Sequence, residues 1–266
     1  MIAAQDQVVS TRRQDALDYV LEAAERGWPL ARAELAYLAG APNGAENDWK
    51  ALRKAIDPDI WIAAKPGREI SAEPRMSVFE NCISHDVCDW IVERARPRIA
   101  RAEVYDPRNG LTRPDEKRTN GSMMFNILES DMILMLVRER IVASAGMPLW
   151  SLEPASVLHY TPGQEFKLHF DYMNTEIPSF AHNVAERGQR IATFLIYLND
   201  DYEGGETEFP RAGIRHKGRK GDALLFWNTT QDGKPDPLTL HAGTPTTNGE
   251  KWVLSQWLRQ RPEKFT

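Results

Sequence analysis

Cysteine is scarce in this chain, with Cys82 and Cys88 the only two among 266 residues. Two cysteines close together in sequence give little support for the disulfide framework that stabilises small secreted domains, or for a structural zinc site. We therefore expect two small buried thiols that pack as apolar groups.

Positive charge is not in excess either. The chain has 33 Lys and Arg residues against 38 Asp and Glu residues, which gives a formal net charge of −5. Proteins that bind nucleic acid through phosphate contacts depend on Lys and Arg, so no nucleic-acid partner is expected. The densest basic stretch, RHKGRKG at residues 215–221, is short and interrupted by glycine, which predicts a solvated turn rather than a binding patch.

Long hydrophobic runs are also missing. No segment approaches the roughly 20 consecutive apolar residues that a membrane-spanning helix needs. The opening stretch, MIAAQDQVVSTRRQ, lacks the basic region followed by an apolar region that marks a secretory signal. The sequence therefore predicts a cytoplasmic protein without a membrane partner, and the pattern does not fix its oligomeric state.

Helical periodicity dominates the first part of the chain. Leu17 and Val20 belong to an apolar stripe that stops at Gly27, and Pro29 suits the first turn of a second helix. The two helices resemble one unit of a Sel1-like or tetratricopeptide-like repeat, and such a unit cannot bury its apolar face alone. Residues 1–60 are therefore predicted to form a helical N-terminal segment.

Helices and irregular segments alternate in the middle of the chain. Ser84 can cap a helix that ends at Pro97, and a further helix is predicted over 130–146. Proline and glycine interrupt residues 60–75 and 101–121. These two segments are predicted to be a connector and a mobile loop.

The hydrophobic period changes from helix to strand after Trp150. Short apolar runs recur, separated by turn signals such as TPG, EGGE and NGE. Helices precede the strands instead of alternating with them, which argues against a parallel sheet of βαβ units. The predicted fold class is therefore α+β, with a double-stranded β-helix (jelly-roll) core from about residue 151, preceded and supported by helices.

A histidine and an aspartate lie two residues apart in one of these runs, EFKLHFD. In a strand, His169 and Asp171 share a face, and His241 follows in the later run TLHAGTP. Two imidazoles and one carboxylate can occupy one face of an octahedral metal and leave positions open, which suits non-haem Fe(II). For His169 taken alone, a half-buried histidine in a hydrogen bond is the alternative.

A lysine begins the last strand-like run, KWVLSQWL, where Lys251 shares a face with Val253, Ser255 and Trp257. A lysine that points into a barrel is costly unless an anion meets it. The distal carboxylate of a bound dicarboxylic acid would be such an anion. The alternative is an edge lysine whose ammonium group reaches water.

Five segments carry a resemblance to a known family, in order and in spacing: RTNGSMMF, HYTPGQEFKLHFDY, RIATFLIYLNDDYEGGETEFP, KGDALLFWN and LHAGTPTTNGEKWVLSQWL. They resemble the prolyl 4-hydroxylase branch of the Fe(II)/2-oxoglutarate-dependent dioxygenases. The resemblance implies a dioxygenase domain over residues 76–266.

The same resemblance implies roles for individual residues. It implies that the metal ligands and catalytic centre are His169, Asp171 and His241. It implies that the residues binding 2-oxoglutarate are Lys251, Tyr160 and Thr193. Arg118 and Trp227 are candidate substrate contacts, and a solvent-facing salt bridge is the alternative for Arg118. Residues 101–121 and 173–189 are long enough to fold over the cleft as lids.

The implied activity is hydroxylation of a proline in a peptide or protein, with release of succinate and CO2. Fe(II), 2-oxoglutarate and O2 are the implied cofactors and cosubstrates, and ascorbate is a further candidate. A hydroxylase of a free amino acid or another small molecule is the alternative. A zinc-dependent hydrolase uses a similar ligand set, but has no use for Lys251 and Tyr160 as a dicarboxylate site. A non-catalytic binding module is the other remote alternative.

Overall fold

The structure is a computed structural model that describes residues 2–41, 48–106, 110–126 and 129–261. The chain divides into two compact units, of which the first comprises Met1–Ala64 with Leu128–Arg140 and the second Lys65–Ile127 with Ile141–Thr266. Among the residues that the structure describes, no helix has both the length and the apolar character needed to cross a bilayer.

Seven α-helices occur in the described residues. They are α1 (Ile2–Glu25), α2 (Pro29–Leu38), α3 (Trp49–Ala55), α4 (Pro58–Ile62), α5 (His85–Ala95), α6 (Met132–Ala145) and α7 (Pro178–Arg187). Gly27 separates α1 from α2 at φ 96°, a left-handed conformation that favours glycine, and Pro29 is the first residue of α2. The Ser84 hydroxyl accepts a hydrogen bond from the Val87 amide at 3.3 Å, which confirms the predicted cap of α5.

The first unit is helical, and an apolar core holds it together. Leu17 and Ala24 of α1 are fully buried, as is Leu35 of α2. Arg13 is also buried, and its guanidinium donates to the Glu139 carboxylate of α6 at 2.7 Å. Because a buried arginine needs a partner, this ion pair fixes α1 against the first part of α6.

The second unit is built mainly from strands. They are β1 (Arg68–Ser71), β2 (Met76–Phe79), β3 (Ala100–Arg101), β4 (Glu103–Asp106), β5 (Leu111–Pro114), β6 (Gly121–Met124), β7 (Ser156–Tyr160), β8 (Phe166–His169), β9 (Arg190–Tyr197), β10 (Glu203–Gly204), β11 (Thr207–Phe209), β12 (Ile214–His216), β13 (Ala223–Trp227), β14 (His241–Gly243), β15 (Thr246–Asn248) and β16 (Lys251–Arg259). The larger sheet has the order β1-β2-β13-β9-β16-β7-β6-β3, and the smaller has the order β12-β11-β14-β8. Their strands pair antiparallel, as the predicted α+β jelly-roll fold requires.

The larger sheet starts earlier in the chain than the predicted position near residue 151. Four of its strands, β1, β2, β3 and β6, precede that point. The predicted loop at 101–121 contains the β4–β5 hairpin, although residues 107–109 lie outside the described part of the chain. The β5 strand is exposed along its whole length, so the alternation that reveals a half-buried strand is missing from its sequence.

An apolar cluster fills the space between the two sheets. Tyr197, Phe209 and Phe226 are fully buried in it, and the rings of Phe209 and Phe226 meet edge to face at 5.0 Å between centroids. The same two phenylalanine rings lie 5.4 and 4.9 Å from the imidazole of His241. The core therefore packs directly against one of the candidate metal ligands.

Both cysteines pack in the interior of the second unit. Cys82 and Cys88 are buried and neither belongs to a disulfide, which confirms the prediction of two small buried thiols. Burial raises the pKa of the Cys88 thiol to about 12. The thiol therefore stays protonated at neutral pH and is a poor nucleophile.

Candidate active site

The three candidate ligands meet on neighbouring strands of the smaller sheet. His169 ends β8 and lies directly opposite His241 of β14, and Asp171 follows two residues after His169. One ligand atom from each residue lies within 4.8 Å of the other two. Oδ1 of Asp171 lies 3.7 Å from Nε2 of His169, and Oδ2 of Asp171 lies 3.7 Å from Nε2 of His241. Three ligand atoms this close can contact one ion between them.

Hydrogen bonds orient both imidazoles. Nδ1 of His169 lies 2.7 Å from the Lys167 carbonyl oxygen, and Nδ1 of His241 lies 2.9 Å from the Thr239 carbonyl oxygen. A carbonyl oxygen can only accept, so each Nδ1 carries a proton, and in the neutral ring each Nε2 keeps a free lone pair. Histidines that bind metals usually donate their other ring nitrogen in this way. The residues therefore fit Fe(II), which takes imidazole and carboxylate ligands in this number.

The protonation states of the cluster also suit a metal. Burial and the neighbouring His241 lower the pKa of His169 to about 3, so its ring is neutral at pH 7. Burial alone would raise the pKa of Asp171, but the two histidines and the Thr193 hydroxyl hold it below its ordinary value. A neutral imidazole and an ionised carboxylate are the forms that bind metals.

Phe166 stacks on His169, a contact that sequence spacing did not predict. The two ring centroids are 3.5 Å apart with an angle of 11° between the planes, and the Arg118 guanidinium lies 4.8 Å from the Phe166 ring. Residues three apart in a regular strand point to opposite faces. The β8–β14 pairing shifts register between His241 and Gly243, and this irregularity lets both rings face the cavity.

The cluster lies in the wall of a cavity of about 510 Å³, within the range of roughly 300–1,000 Å³ that is usual for small-molecule sites. The inner face of the larger sheet supplies much of the remaining wall. Its contributions from β9 and β16 are Leu195, Lys251, Val253, Ser255 and Trp257. The predicted shared face of the last strand is therefore confirmed, because all four of its predicted residues line the cavity. Arg118 lines it too.

Lys251 and Tyr160 lie together in this cavity wall. Lys251 is 3% exposed, and its Nζ donates to the Gly205 carbonyl at 2.7 Å. Burial lowers the pKa of Lys251 to about 8 and raises the pKa of Tyr160 to about 12. At pH 7 the lysine is therefore mostly a cation and the tyrosine a neutral phenol. Both are hydrogen-bond donors suited to an anion.

Thr193 contacts a candidate metal ligand. Its hydroxyl donates to Oδ2 of Asp171 at 2.7 Å, and it does not belong to the cavity lining described above. The structure thus gives Thr193 a contact with a candidate metal ligand, and its contact with 2-oxoglutarate stays a prediction. Because the hydroxyl has a single proton, its donor capacity is used by Asp171.

Trp227 was a candidate substrate contact, but strand alternation turns it away from the cavity. In the β9–β13 pairing, inward-facing Thr193 lies opposite Phe226, so the next pair, Ala192 and Trp227, faces outward. The Trp227 ring instead lies 4.6 Å from the Arg75 guanidinium. Sequence spacing alone did not settle which face of the sheet Trp227 occupies.

Comparisons with known proteins agree with this geometry. Residues 155–259 match the family model of the 2OG-Fe(II) oxygenase superfamily. Prolyl 4-hydroxylase 1 of Arabidopsis thaliana is 35% identical over 206 residues, which cover 72% of this chain and 71% of the relative. Probable prolyl 4-hydroxylase 10 of the same plant is 36% identical over 209 residues, covering 71% and 70%. The crystal structure of a viral collagen prolyl hydroxylase from Paramecium Bursaria Chlorella virus-1, a 2OG complex, is 25% identical with a TM-score of 0.54, and the match covers 69% of this chain and 95% of that one.

The fold, the ligand cluster and these similarities define an Fe(II)- and 2-oxoglutarate-dependent oxygenase with a jelly-roll core. Within that superfamily, the chain belongs to the prolyl 4-hydroxylase family. It is therefore an oxidoreductase of the dioxygenase class, which uses Fe(II), 2-oxoglutarate and O2.

Proposed function

We propose that this protein hydroxylates a proline residue in a peptide or protein, in the manner of prolyl 4-hydroxylases, and releases succinate and CO2. The observation that carries the proposal is that the three candidate metal ligands and the Lys251–Tyr160 pair line a single cavity. The relatives that bear the name prolyl 4-hydroxylase support the choice of substrate.

His169, Asp171 and His241 are proposed to hold the iron. At pH 7 the His169 ring is neutral and the Asp171 carboxylate is ionised, so neither group has to lose a proton before it binds the metal. When bound, Fe(II) with 2-oxoglutarate and O2 supplies the oxidation that converts a C–H bond into a C–OH group. The chain positions the reactants and keeps water away from this chemistry.

Lys251 and Tyr160 are proposed to bind the distal carboxylate of 2-oxoglutarate. Lys251 is a buried cation whose contacts include one carbonyl oxygen and the aromatic face of Tyr160. A carboxylate in this position would accept charge-assisted hydrogen bonds, which are stronger than neutral ones. Apolar Leu195 and Val253 in the same wall would exclude water and strengthen these bonds.

Arg118 is proposed to contact the substrate. It lines the cavity above the Phe166 ring, and its Nε is buried without a hydrogen-bond partner among the described residues. Because a buried donor without a partner costs stability, a carbonyl oxygen of a bound peptide is a fitting acceptor. Ascorbate is proposed as an accessory cofactor on the family resemblance alone.

The substrate is tested by comparing proline-containing peptides with free proline and other free amino acids. The enzyme is supplied with Fe(II), 2-oxoglutarate and O2, and succinate release is measured together with the gain of one oxygen atom in the substrate by mass spectrometry. The proposal predicts both products with peptides and neither with His241→Ala. Turnover of free amino acids without turnover of peptides would favour the small-molecule alternative.

A further inference from the structure

A chain of buried hydrogen bonds runs from Asn228 to the candidate metal ligand Asp171. The Asn228 side-chain amide donates to the Thr193 hydroxyl at 2.9 Å, and that hydroxyl donates to Oδ2 of Asp171 at 2.7 Å. Asn228 and Thr193 are 0% and 1% exposed. Water therefore does not compete for these bonds, and the geometry of the chain is fixed by the protein.

The direction of the two bonds follows from the chemistry of the three groups. The Asp171 carboxylate is ionised and can only accept, so the single Thr193 proton must point towards it. The Thr193 oxygen then accepts from Nδ2 of Asn228. With the amide turned over, Oδ1 of Asn228 and Oδ2 of Asp171 would both need that one proton. Each donor in the observed chain strengthens the next, because hydrogen bonds in series polarise one another.

Asn228 donates to Thr193, but the position of its own side-chain oxygen lowers the stability of the folded state. Its Oδ1 is buried without a hydrogen-bond partner among the described residues. A buried polar atom in this condition is rare in native proteins and calls for an explanation beyond packing. An apolar residue of similar volume would avoid the cost, so the donor that faces Thr193 is the property that favours asparagine here.

The same loop also orients a second candidate ligand. Asn228 begins the connection from β13 to β14, and its carbonyl accepts from the Asp236 amide at 2.9 Å. The Asp236 carbonyl accepts from the Thr239 hydroxyl at 2.6 Å. The Thr239 carbonyl in turn accepts from Nδ1 of His241. One loop therefore fixes the orientation of both Asp171 and His241.

We propose that Asn228 and Thr193 are positioning residues for the metal site, and that the loop between β13 and β14 sets the relative orientation of the Asp171 carboxylate and the His241 ring. This inference rests on the proposed role of Asp171 and His241 as metal ligands. Thr193 acts through Asp171, and Asn228 acts through Thr193. Loss of the Thr193 hydroxyl therefore weakens metal binding without removing a ligand.

The test measures Co(II) binding to the full chain under anaerobic conditions. The visible absorption of bound Co(II) reports both affinity and ligand arrangement, and it needs no turnover. Thr193→Val keeps the shape but removes the hydroxyl, and it should raise the Co(II) dissociation constant about 10- to 100-fold, the range for lost outer-shell bonds at metal sites. Thr193→Ser restores the hydroxyl and should bind like the wild type. Asn228→Leu should weaken binding and shift the absorption bands in the same direction as Thr193→Val.

A matched control is Thr246→Val, which alters a buried threonine outside this loop whose hydroxyl has no hydrogen-bond partner among the described residues, and it should leave the affinity unchanged. Wild-type affinity in Thr193→Val would overturn the inference, and so would equal weakening in Thr193→Ser or in Thr246→Val. If Thr193→Val does not fold, as judged by circular dichroism, Asn228→Leu decides the question alone. A wild-type protein whose Co(II) affinity matches that of His241→Ala would contradict the proposed metal site itself, which distinguishes the two failures.

Discussion

Lys251 lies directly across from Tyr160 in the pairing of β16 with β7, and its ammonium nitrogen is 5.0 Å from the centre of the tyrosine ring. The two side chains line the same cavity as the cluster of His169, Asp171 and His241. A buried cation beside a neutral phenol forms a site for an anion. The proposed binding of 2-oxoglutarate to both the metal cluster and this pair therefore takes place within one cavity.

Replacing Lys251 by methionine should raise the 2-oxoglutarate requirement. The variant keeps an apolar stem of similar length but loses a charge-assisted hydrogen bond, which is worth about 1.5–3 kcal/mol, or roughly a 10- to 100-fold rise in the KM for 2-oxoglutarate. Succinate release at varied 2-oxoglutarate concentrations measures the change. The control is Lys234→Met, which alters an exposed lysine. An unchanged KM in Lys251→Met would refute the cosubstrate site.

The affinity for 2-oxoglutarate should fall as the pH rises above about 8. Burial lowers the pKa of Lys251 to about 8 in the free protein, and a bound carboxylate raises it again. Binding is therefore strongest below the pKa of the free form and is lost progressively as the pH rises towards the pKa of the complex. The KM for 2-oxoglutarate measured between pH 7 and 9.5 reports this loss. In Lys251→Arg the guanidinium does not titrate in this range, so the same rise in KM would point to another group.

Gly205 packs against the Lys251 side chain, and its carbonyl accepts the hydrogen bond from the lysine. A Cβ at this position would lie 3.2 Å from Cδ of Lys251 and 3.1 Å from the Tyr202 ring, and the backbone has φ 66°. Gly205→Ala should therefore displace the lysine and raise the KM for 2-oxoglutarate, in addition to the cost of about 1–2 kcal/mol for a left-handed alanine.

Gly213→Ala is the matched control for this variant. Gly213 has the same φ of 66°, but a Cβ there would meet nothing within 4 Å. The control should lose a similar amount of free energy of unfolding in urea denaturation and keep its KM. A raised KM in both variants would show that backbone strain, and not displacement of Lys251, is the cause.

Glu153 should be important for stability, because it joins two arginines inside the second unit. Its carboxylate accepts from Arg190 at 2.7 and 2.9 Å and lies 3.1 Å from Nε of Arg259, which is 1% exposed. Glu153→Gln leaves buried positive charge without its counter-charge, and we expect a loss of about 3 kcal/mol in the free energy of unfolding.

Urea denaturation measures this loss, with Glu208→Gln as the control. Glu208 pairs with Arg215 at 3.0 Å on the surface, so its neutralisation should change stability very little. Equal stability of Glu153→Gln and the wild type would mean that the buried arginines find other acceptors.

Sequence periodicity predicted the parts of the fold that are buried on one face. The alternation in KWVLSQWL placed Lys251 and Trp257 on the cavity side, and the two-residue spacing of His169 and Asp171 brought both side chains to one site. The same rule needs a known inner face, which the sequence of β13 does not display, because four of its five residues are buried. This is why Trp227 was assigned to the wrong side.

Other features depend on contacts that are distant in sequence. Phe166 reaches His169 only because the β8–β14 pairing is irregular, and Asn228 reaches Asp171 only through Thr193. No local pattern marks either residue. The exposed β5 strand and the short helix α7 were also missed, because neither buries a continuous apolar stripe.

Anaerobic titration of the Fe(II)-loaded protein with 2-oxoglutarate tests the metal and cosubstrate sites together. Chelation of the iron by 2-oxoglutarate should produce a weak visible charge-transfer band in the wild type, at a concentration that rises in Lys251→Met. The band should be absent in His241→Ala, which removes one of the three ligand atoms. A band of equal strength in His241→Ala, or none in an iron-loaded wild type, would contradict the assignment of this cavity as the active site.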